Sequence, residues 1–395
     1  MIILHRLEAE NFLSLQRVNV ELRDLNVLVG PNGSGKSNLL RVIGFLGDTA
    51  RMDLGPAIEA HGGMAQLRFR GETGRSTRSV RLKVEAHVTP HASDTAPDEY
   101  SLTFWRQGRT LQRREEFKFK RLKGRGRRIT LTGHKAEIHN DAALQAQAPS
   151  RSISLRPDSA GLSTLQRLSE KDGAPQVRQF ASLFERFRVF DPDVSKARRP
   201  ASSLDSGTLA ADASNLAAFL VYLKREAPDT FHLLLQDLRT IVPSVKDLHF
   251  ETLGGPTSAV KLSLEEHALA GRTDLAHASF GTIRALAVLA MLHDPHPPPL
   301  TCMEEIDHGL HPYALDVVVD RLRTASEKTQ LILATHSPAL VNRLNYDELI
   351  VCERDDETGA SRIPAIDPED IKEIARDDEL ALGELWFSGV LGGIL

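Results

Sequence analysis

The sequence predicts an α/β fold: a mixed, mostly parallel β-sheet flanked by helices on both faces, with a β-rich and helical lobe inserted into it. Three observations carry this reading. An apolar run, Asn26-Val27-Leu28-Val29, enters the glycine-rich stretch Gly30-Pro31-Asn32-Gly33-Ser34-Gly35-Lys36-Ser37, and the amphipathic segment Asn38–Leu46 leaves it. After Arg272 short apolar runs again alternate with helical periods, the pattern of a parallel sheet covered on both sides. Between these parts, several segments alternate apolar with polar residues at period two, as half-exposed antiparallel strands do.

Taken in order, Ile2–Glu8, Arg17–Leu22 and Leu25–Val29 read as strands, the last feeding the glycine-rich loop. Gly55–Gly63 reads as a turn region, followed by strands at Ala65–Arg70, Ser79–Val88, Tyr100–Arg106, Thr110–Lys120 and Arg127–Leu131, with a hairpin tip at Lys123–Arg127. From Asn140, Gln- and Ala-rich sequence leads to helices at Gly161–Lys171 and Pro175–Phe187 and a return strand at Arg188–Asp191. A polar linker, Asp193–Ser206, precedes helices Asn215–Glu226 and Asp229–Val242 and strands Val245–Leu253 and Ser258–Glu265. The last part holds a helix from Gly281 to His293, strand Leu300–Met303 and a helix at Pro312–Ser326. It continues with strands Gln330–Ala334 and Glu348–Glu353 and helices Asp367–Arg376 and Glu379–Ser388. The expected division is 1–60, the first part of the head; 61–200, a β-rich basic arm with helices; 201–275, a helical and β lobe; and 276–395, the rest of the head.

Composition excludes several classes. The 395 residues are 41% hydrophobic and 26% charged, an ordinary balance for a globular protein. No stretch reaches the roughly 18 uninterrupted apolar residues of a membrane span. The opening Met1–Glu8 is too soon charged for a signal peptide. Cys302 and Cys352 sit in apolar runs and form neither a metal spacing nor a disulfide framework. The expected compartment is cytoplasmic, with no membrane partner. The net charge of −4 hides an asymmetry: between Phe104 and Lys135 there are twelve Lys or Arg against Glu115 and Glu116, leaving 37 basic and 51 acidic residues elsewhere.

The chemistry follows from spacing. GxxxxGK[ST] between a strand and a helix is a phosphate-binding loop, in which backbone N–H groups of Asn32, Gly33, Ser34, Gly35 and the following residues through Asn38 face the phosphates of a nucleoside triphosphate. Lys36 reaches the β- and γ-phosphates and the Ser37 hydroxyl holds Mg²⁺. Leu300-Thr301-Cys302-Met303-Glu304-Glu305 is an apolar strand ending in two carboxylates, Glu304 for the Mg²⁺ shell and Glu305 as general base toward a water. Thr335-His336 ends a second buried run, so His336 is placed to contact the γ-phosphate. Ser279-Phe280-Gly281-Thr282 opens a helix; Ser279 is either its cap or part of an anion site with Gly281.

In this order, these motifs resemble the ABC-type ATPase heads of the RecF, SMC and overcoming-lysogenization-defect group, most closely a stand-alone bacterial subgroup of predicted AAA family ATPases. Glu10-Asn11-Phe12-Leu13-Ser14-Leu15 is similar to the group's opening, and Glu304–Pro312 to its Walker B and D-loop. Ser214–Ala218 and Leu382–Trp386 extend the likeness over most of the chain. The resemblance implies ATP and Mg²⁺ as ligands, ATP hydrolysis, and a homodimer formed on ATP binding in which Ser279 and Gly281 complete the other protomer's site. Three departures stand out: Phe280 where Gly or Asp is usual, Ile306-Asp307 for Pro-Glu, and no Q-loop beyond Gln66 in the matching region.

The basic segment suggests what the head acts on. Arg121, Lys123, Arg125, Arg127 and Arg128, with Trp105, Phe117 and Phe119 interleaved nearby, suit phosphate neutralisation and base stacking. Docking of an acidic protein is the alternative. With 59 residues after His336 and no second carboxylate cluster there, any nuclease or other effector is expected in a partner chain. The expected function is an ATPase controlling nucleic-acid engagement or an effector, in DNA repair or phage defence; the alternative is a slow-hydrolysing scaffold holding a toxin or nuclease subunit.

Overall fold

The computed structural model describes residues 3–71, 79–121, 126–139, 151–167, 173–204, 207–254, 258–377 and 381–391. Two large sheets organise it. The first is parallel, in the order β10-β15-β16-β3-β17: β3 (Leu25–Val29), β10 (Arg188–Phe190), β15 (Leu300–Glu304), β16 (Gln330–Thr335) and β17 (Leu349–Val351). Every residue of β3, β16 and β17 is buried, because helices cover both faces. Helix α1 (Lys36–Met52) lies on one face, meeting Leu28, Cys302, Ile332 and Ile350 in one core. On the other face α2 (Leu216–Glu226), α3 (Pro228–Ile241), α4 (Phe280–Leu292) and α5 (Ala314–Ser326) share a second core with Val27, Met303, Leu331 and Leu333.

The second sheet has eight antiparallel strands, β2-β1-β4-β5-β6-β7-β8-β9: β1 (Leu4–Phe12), β2 (Leu15–Glu21), β4 (Ser79–Ala86), β5 (Asp98–Gln107), β6 (Thr110–Phe119), β7 (Arg127–Thr132), β8 (Lys135–His139) and β9 (Arg151–Ser154). The N-terminal hairpin is thus continuous with the strands expected as an insertion. Its inner face carries Val80, Leu82, Val84, Tyr100, Leu102, Phe104, Phe117 and Phe119. These rings meet the helix Ala174–Glu185 through Phe180 and Phe184, with Tyr100–Phe184 at 5.6 Å and Phe119–Phe180 at 5.8 Å between centroids. Smaller sheets are formed by β11 (Ala201–Ser202), β12 (Val245–Leu253), β13 (Ala259–Glu266) and β14 (Arg272–Asp274), and by β18 (Glu353–Arg354) with β19 (Ser361–Arg362). The buried Gln330 amide joins the two large sheets: it accepts from Leu4 N and donates to Leu4 O and Arg23 O, each at 2.8 Å.

Several local expectations are corrected. Gly55–Gly63 is mostly helix, Leu54–Ala60, started by Asp53 accepting from Leu54 N. Ala65–Arg70 is not a strand: a helical turn spans Met64–Leu67, and only Arg68 bridges to Phe12. The helix expected at Gly161–Lys171 is Gly161–Thr164 with a 3₁₀ turn through Arg167; residues 168–172 lie outside the described ones. Asp193–Ser206 contains a turn, Val194–Ala197, capped by the Asp193 carboxylate, and then β11. Strands β8 and β9 were not expected.

Candidate functional site

The parallel register brings the strand ends together: Glu304 lies beside Ala334, Thr335 beside Val29, and Val351 beside Val29. Everything that follows a strand therefore leaves from one edge. After β3 the chain turns through Gly30–Gly35, with no room for a side chain at either end of the turn. A Cβ on Gly30 would lie 2.1 Å from the Cys352 carbonyl oxygen, and one on Gly35 (φ 104°) 2.1 Å from the Ser361 hydroxyl. Behind the loop the Ser14 and Ser361 hydroxyls share a hydrogen bond of 2.6 Å, and Asn38 Nδ2 donates to Ser14 Oγ at 2.7 Å. The Asn11–Ser14 turn, with φ 58° at Asn11 and 52° at Leu13, delivers Ser14 there.

Helix α1 starts at Gly35 without a side-chain cap, so its first N–H groups are left for a ligand. Lys36 is buried, and its Nζ donates to Gly30 O at 2.7 Å and Pro31 O at 2.9 Å, with Ser34 Oγ at 3.5 Å. Burial holds this ammonium below the usual lysine range. A cation held by neutral oxygens at an uncapped helix start is the complement of an anion.

Ser37 Oγ donates to Glu304 Oε2 at 2.7 Å. Glu305 has left the strand: its φ is 48°, a conformation that costs a non-glycine residue on the order of 1–3 kcal/mol. Three backbone bonds hold it: Glu305 N donates to Ala334 O at 2.8 Å, and Glu305 O accepts from Arg284 at 2.7 Å and from His308 N at 3.0 Å. Thr335 Oγ1 donates to Asp307 Oδ1 at 2.8 Å, which gives the unusual Asp307 a positioning task. A cavity of about 190 Å³ gathers Asn32, Gly33, Gly35, Lys36, Ser37, Asn38, Glu304, Glu305 and His336 in its wall, with Ala334, Thr335 and Arg354.

Two residues of this site were not singled out from sequence. Arg354 donates to Gly33 O at 3.2 Å; its signal is topological, since it stands just past β17, the neighbour of β3. Arg284, on α4, is buried and ties that helix to the Glu304-Glu305 backbone. Ser279 caps α4, accepting from Thr282 N at 3.1 Å. Gly281 packs so tightly on the Glu305–Gly309 turn that a Cβ would lie 2.6 Å from Gly309 O. Neither Ser279 nor Gly281 is among the residues lining the cavity of its own chain. Gln66 is exposed and bonded to Arg70, and it too is not part of that wall.

The basic strands differ from the expectation. Phe117 and Phe119 are buried in the core and offer no stacking surface. Arg113 is buried against Glu115 at 3.0 Å. Arg128 pairs with Glu116, Lys118 with Glu99 at 2.8 Å, and Arg127 donates to Gln176 at 3.0 Å. Arg121 is described and exposed, whereas Lys123 and Arg125 lie outside the described residues. Less compensated charge borders an open groove of about 1100 Å³ on the outer face of the antiparallel sheet. Arg68, Arg81, Arg106 and Arg114 line it with Trp105. Arg68 and Arg114 have no side-chain partner among the described residues, and Arg81 and Arg106 stand 3.6 and 3.4 Å from Glu10 and Glu59.

Comparison with known proteins agrees with this geometry. The family described as "AAA domain, putative AbiEii toxin, Type IV TA system" matches residues 25–342. No curated protein matches the chain. Among solved structures, the chain is similar to the Smc head bound to the C-winged helix domain of ScpA (TM-score 0.55, 14% identity, 91% of this chain and 96% of that one). It is also similar to the Smc head domain with an extended coiled coil bound to the C-terminal domain of ScpA, derived from Pyrococcus furiosus (TM-score 0.52, 13% identity, 95% and 99%). At this identity the likeness establishes the fold, that of an SMC-type ABC head. No helix among the described residues is long and apolar enough to cross a membrane.

Proposed function

Because the chain belongs to the AAA-domain family of the AbiEii type and has an SMC-head fold, we propose that it binds and hydrolyses ATP and that ATP-dependent pairing of two copies controls nucleic-acid engagement or an effector protein. One observation carries the reading: Lys36, the Ser37–Glu304 pair, Glu305 and His336 share one cavity at the carboxyl edge of a parallel sheet.

Each residue then has a task. Lys36 exchanges its carbonyl partners for phosphate oxygens, and the uncapped N–H groups of α1 bind the remainder. The Ser37 hydroxyl and Glu304 carboxylate already converge and are hard oxygen donors, so they fit Mg²⁺. That ion, when bound, neutralises charge on the phosphates. Glu305 orients the attacking water and accepts its proton, while His336 contacts the γ-phosphate. Ser279 and the N–H groups of α4 serve the second copy's nucleotide, which is consistent with their absence from their own cavity wall.

The Arg-lined groove with Trp105 supports nucleic-acid engagement, in DNA repair or phage defence, more directly than the Arg121–Arg128 segment. The family description, naming a toxin–antitoxin system, favours a second reading: a slow-hydrolysing, nucleotide-dependent scaffold that holds a toxin or nuclease subunit. Phosphate release by wild-type protein, with and without single-stranded and duplex DNA, separates the two. Stimulation supports the coupled ATPase; slow turnover indifferent to DNA supports the scaffold. Sedimentation of Glu305→Gln with ATP tests pairing, and a monomer under those conditions rules out the shared site.

A further inference from the structure

We propose that His5, His87 and Asp94 form a binding site for a transition-metal dication of the zinc class, separate from the nucleotide cavity. His5 is the second residue of β1 and His87 follows β4 directly. The two strands are antiparallel neighbours, and His87 N donates to Ile3 O at 2.9 Å, which sets both histidines at the same end of the sheet. Asp94 belongs to the connection between β4 and β5, which brings its carboxylate to both histidines.

The three donor atoms form a compact triangle. His5 Nε2 and His87 Nε2 are 2.8 Å apart, and Asp94 Oδ1 lies 3.4 Å from each. Zinc bonds to imidazole and carboxylate are about 2.0–2.2 Å long, so tetrahedral angles place two ligand atoms about 3.3–3.5 Å apart. Two edges of the triangle already have that length. The third reaches it when the imidazoles separate by about half an ångström. The rings are inclined at 60° with centroids 4.0 Å apart, so they meet at their edges rather than stack.

A plain hydrogen bond between the histidines explains less. One Nε2 would donate to the other, and its single proton would then be spent. The carboxylate oxygen, however, stands at equal distance from both nitrogens and within normal hydrogen-bond length of neither. Equidistance is what a third ligand of a common ion shows. Two imidazoles and a carboxylate suit zinc and its neighbours, whereas Mg²⁺ and Ca²⁺ take oxygen donors. Three protein ligands leave a position for water.

The site is remote from the ATP-binding edge. Leu4, next to His5, is bonded to Gln330 at the start of β16, while Thr335 and His336 are at its other end. Five residue steps of strand at about 3.3 Å each put roughly 17 Å between them.

The test uses tag-free, nucleotide-free full-length protein in excess Mg²⁺, titrated with Co²⁺ and followed by visible absorption. One equivalent should bind with the intense bands of low-coordinate Co²⁺, and Zn²⁺ should displace it and raise the melting temperature. His87→Ala should abolish the bands. Asp94→Asn should weaken binding while leaving the metal-free protein's melting unchanged, since that side chain is 83% exposed. Absence of binding in the wild type, or binding unchanged in both His87→Ala and Asp94→Asn, would overturn the proposal and leave only a histidine–histidine hydrogen bond.

Discussion

The two large sheets solve different problems with the same backbone. The parallel sheet is covered on both faces, and its central strands β3, β15 and β16 carry no charged residue before Glu304. Chemistry can therefore appear only where strands end, and there it is concentrated within one small cavity. The antiparallel sheet has one dry face and one wet face. Apart from one buried pair, its charged groups spread over the wet side, as ion pairs around Lys83, Glu85, Glu99 and Lys118 and as the groove around Trp105. Two covered faces confine polar groups to an edge; one open face spreads them over a surface.

The comparison can be broken at the edge first. Lys36→Ala should abolish ATP binding, because no other ammonium in the cavity wall replaces it; titration with a fluorescent ATP analogue measures this, and retained affinity would remove the phosphate loop from the site. Glu305→Gln should keep ATP affinity and lower turnover by about 10²–10⁴, the usual contribution of a general base. Near-normal turnover would place the base elsewhere.

The dry face of the antiparallel sheet gives the next effect. It holds the fully buried Arg113–Glu115 pair, with Glu115 also accepting from Tyr100 and Gly161 N. Glu115→Ala leaves a guanidinium without its counter-charge and should cost about 3–5 kcal/mol in urea unfolding, whereas replacing both partners with Met and Leu should cost far less. A small loss for Glu115→Ala would mean that water reaches this face. On the wet face, changing Arg81, Arg106 and Arg114 together to Gln should lower the salt slope of single-strand binding by about two units, at roughly 0.7 per phosphate contact. An unchanged slope would assign the groove to a protein partner.

What was legible in the sequence follows the same division. Strand β3, the phosphate loop and α1 were readable because a buried parallel strand is a plain apolar run and its loop has a fixed spacing. The positions of Glu304, Glu305 and His336 followed, since each stands at the end of such a run. Strand pairing was not readable: β1 joins β4 across some seventy residues, and alternation says which face is wet without saying which strands are neighbours. Charge misled most on β6. Arg113 and Glu115 count in the charge balance of the basic segment, yet their alternation with Arg114 and Glu116 puts them on the inner face beside Phe117. Arg354 and Arg284 were missed because their partners are distant in sequence, Gly33 and Glu305.

Gln330 has a mechanical meaning. Its amide stitches the first strand of one sheet and the approach to β3 onto the base of β16, in a place without water. Parting the sheets would strip a buried amide of three partners at once, so the joint behaves as a weld rather than a hinge. The position at which the antiparallel sheet meets β16 is therefore set at the end of that strand opposite Thr335 and His336.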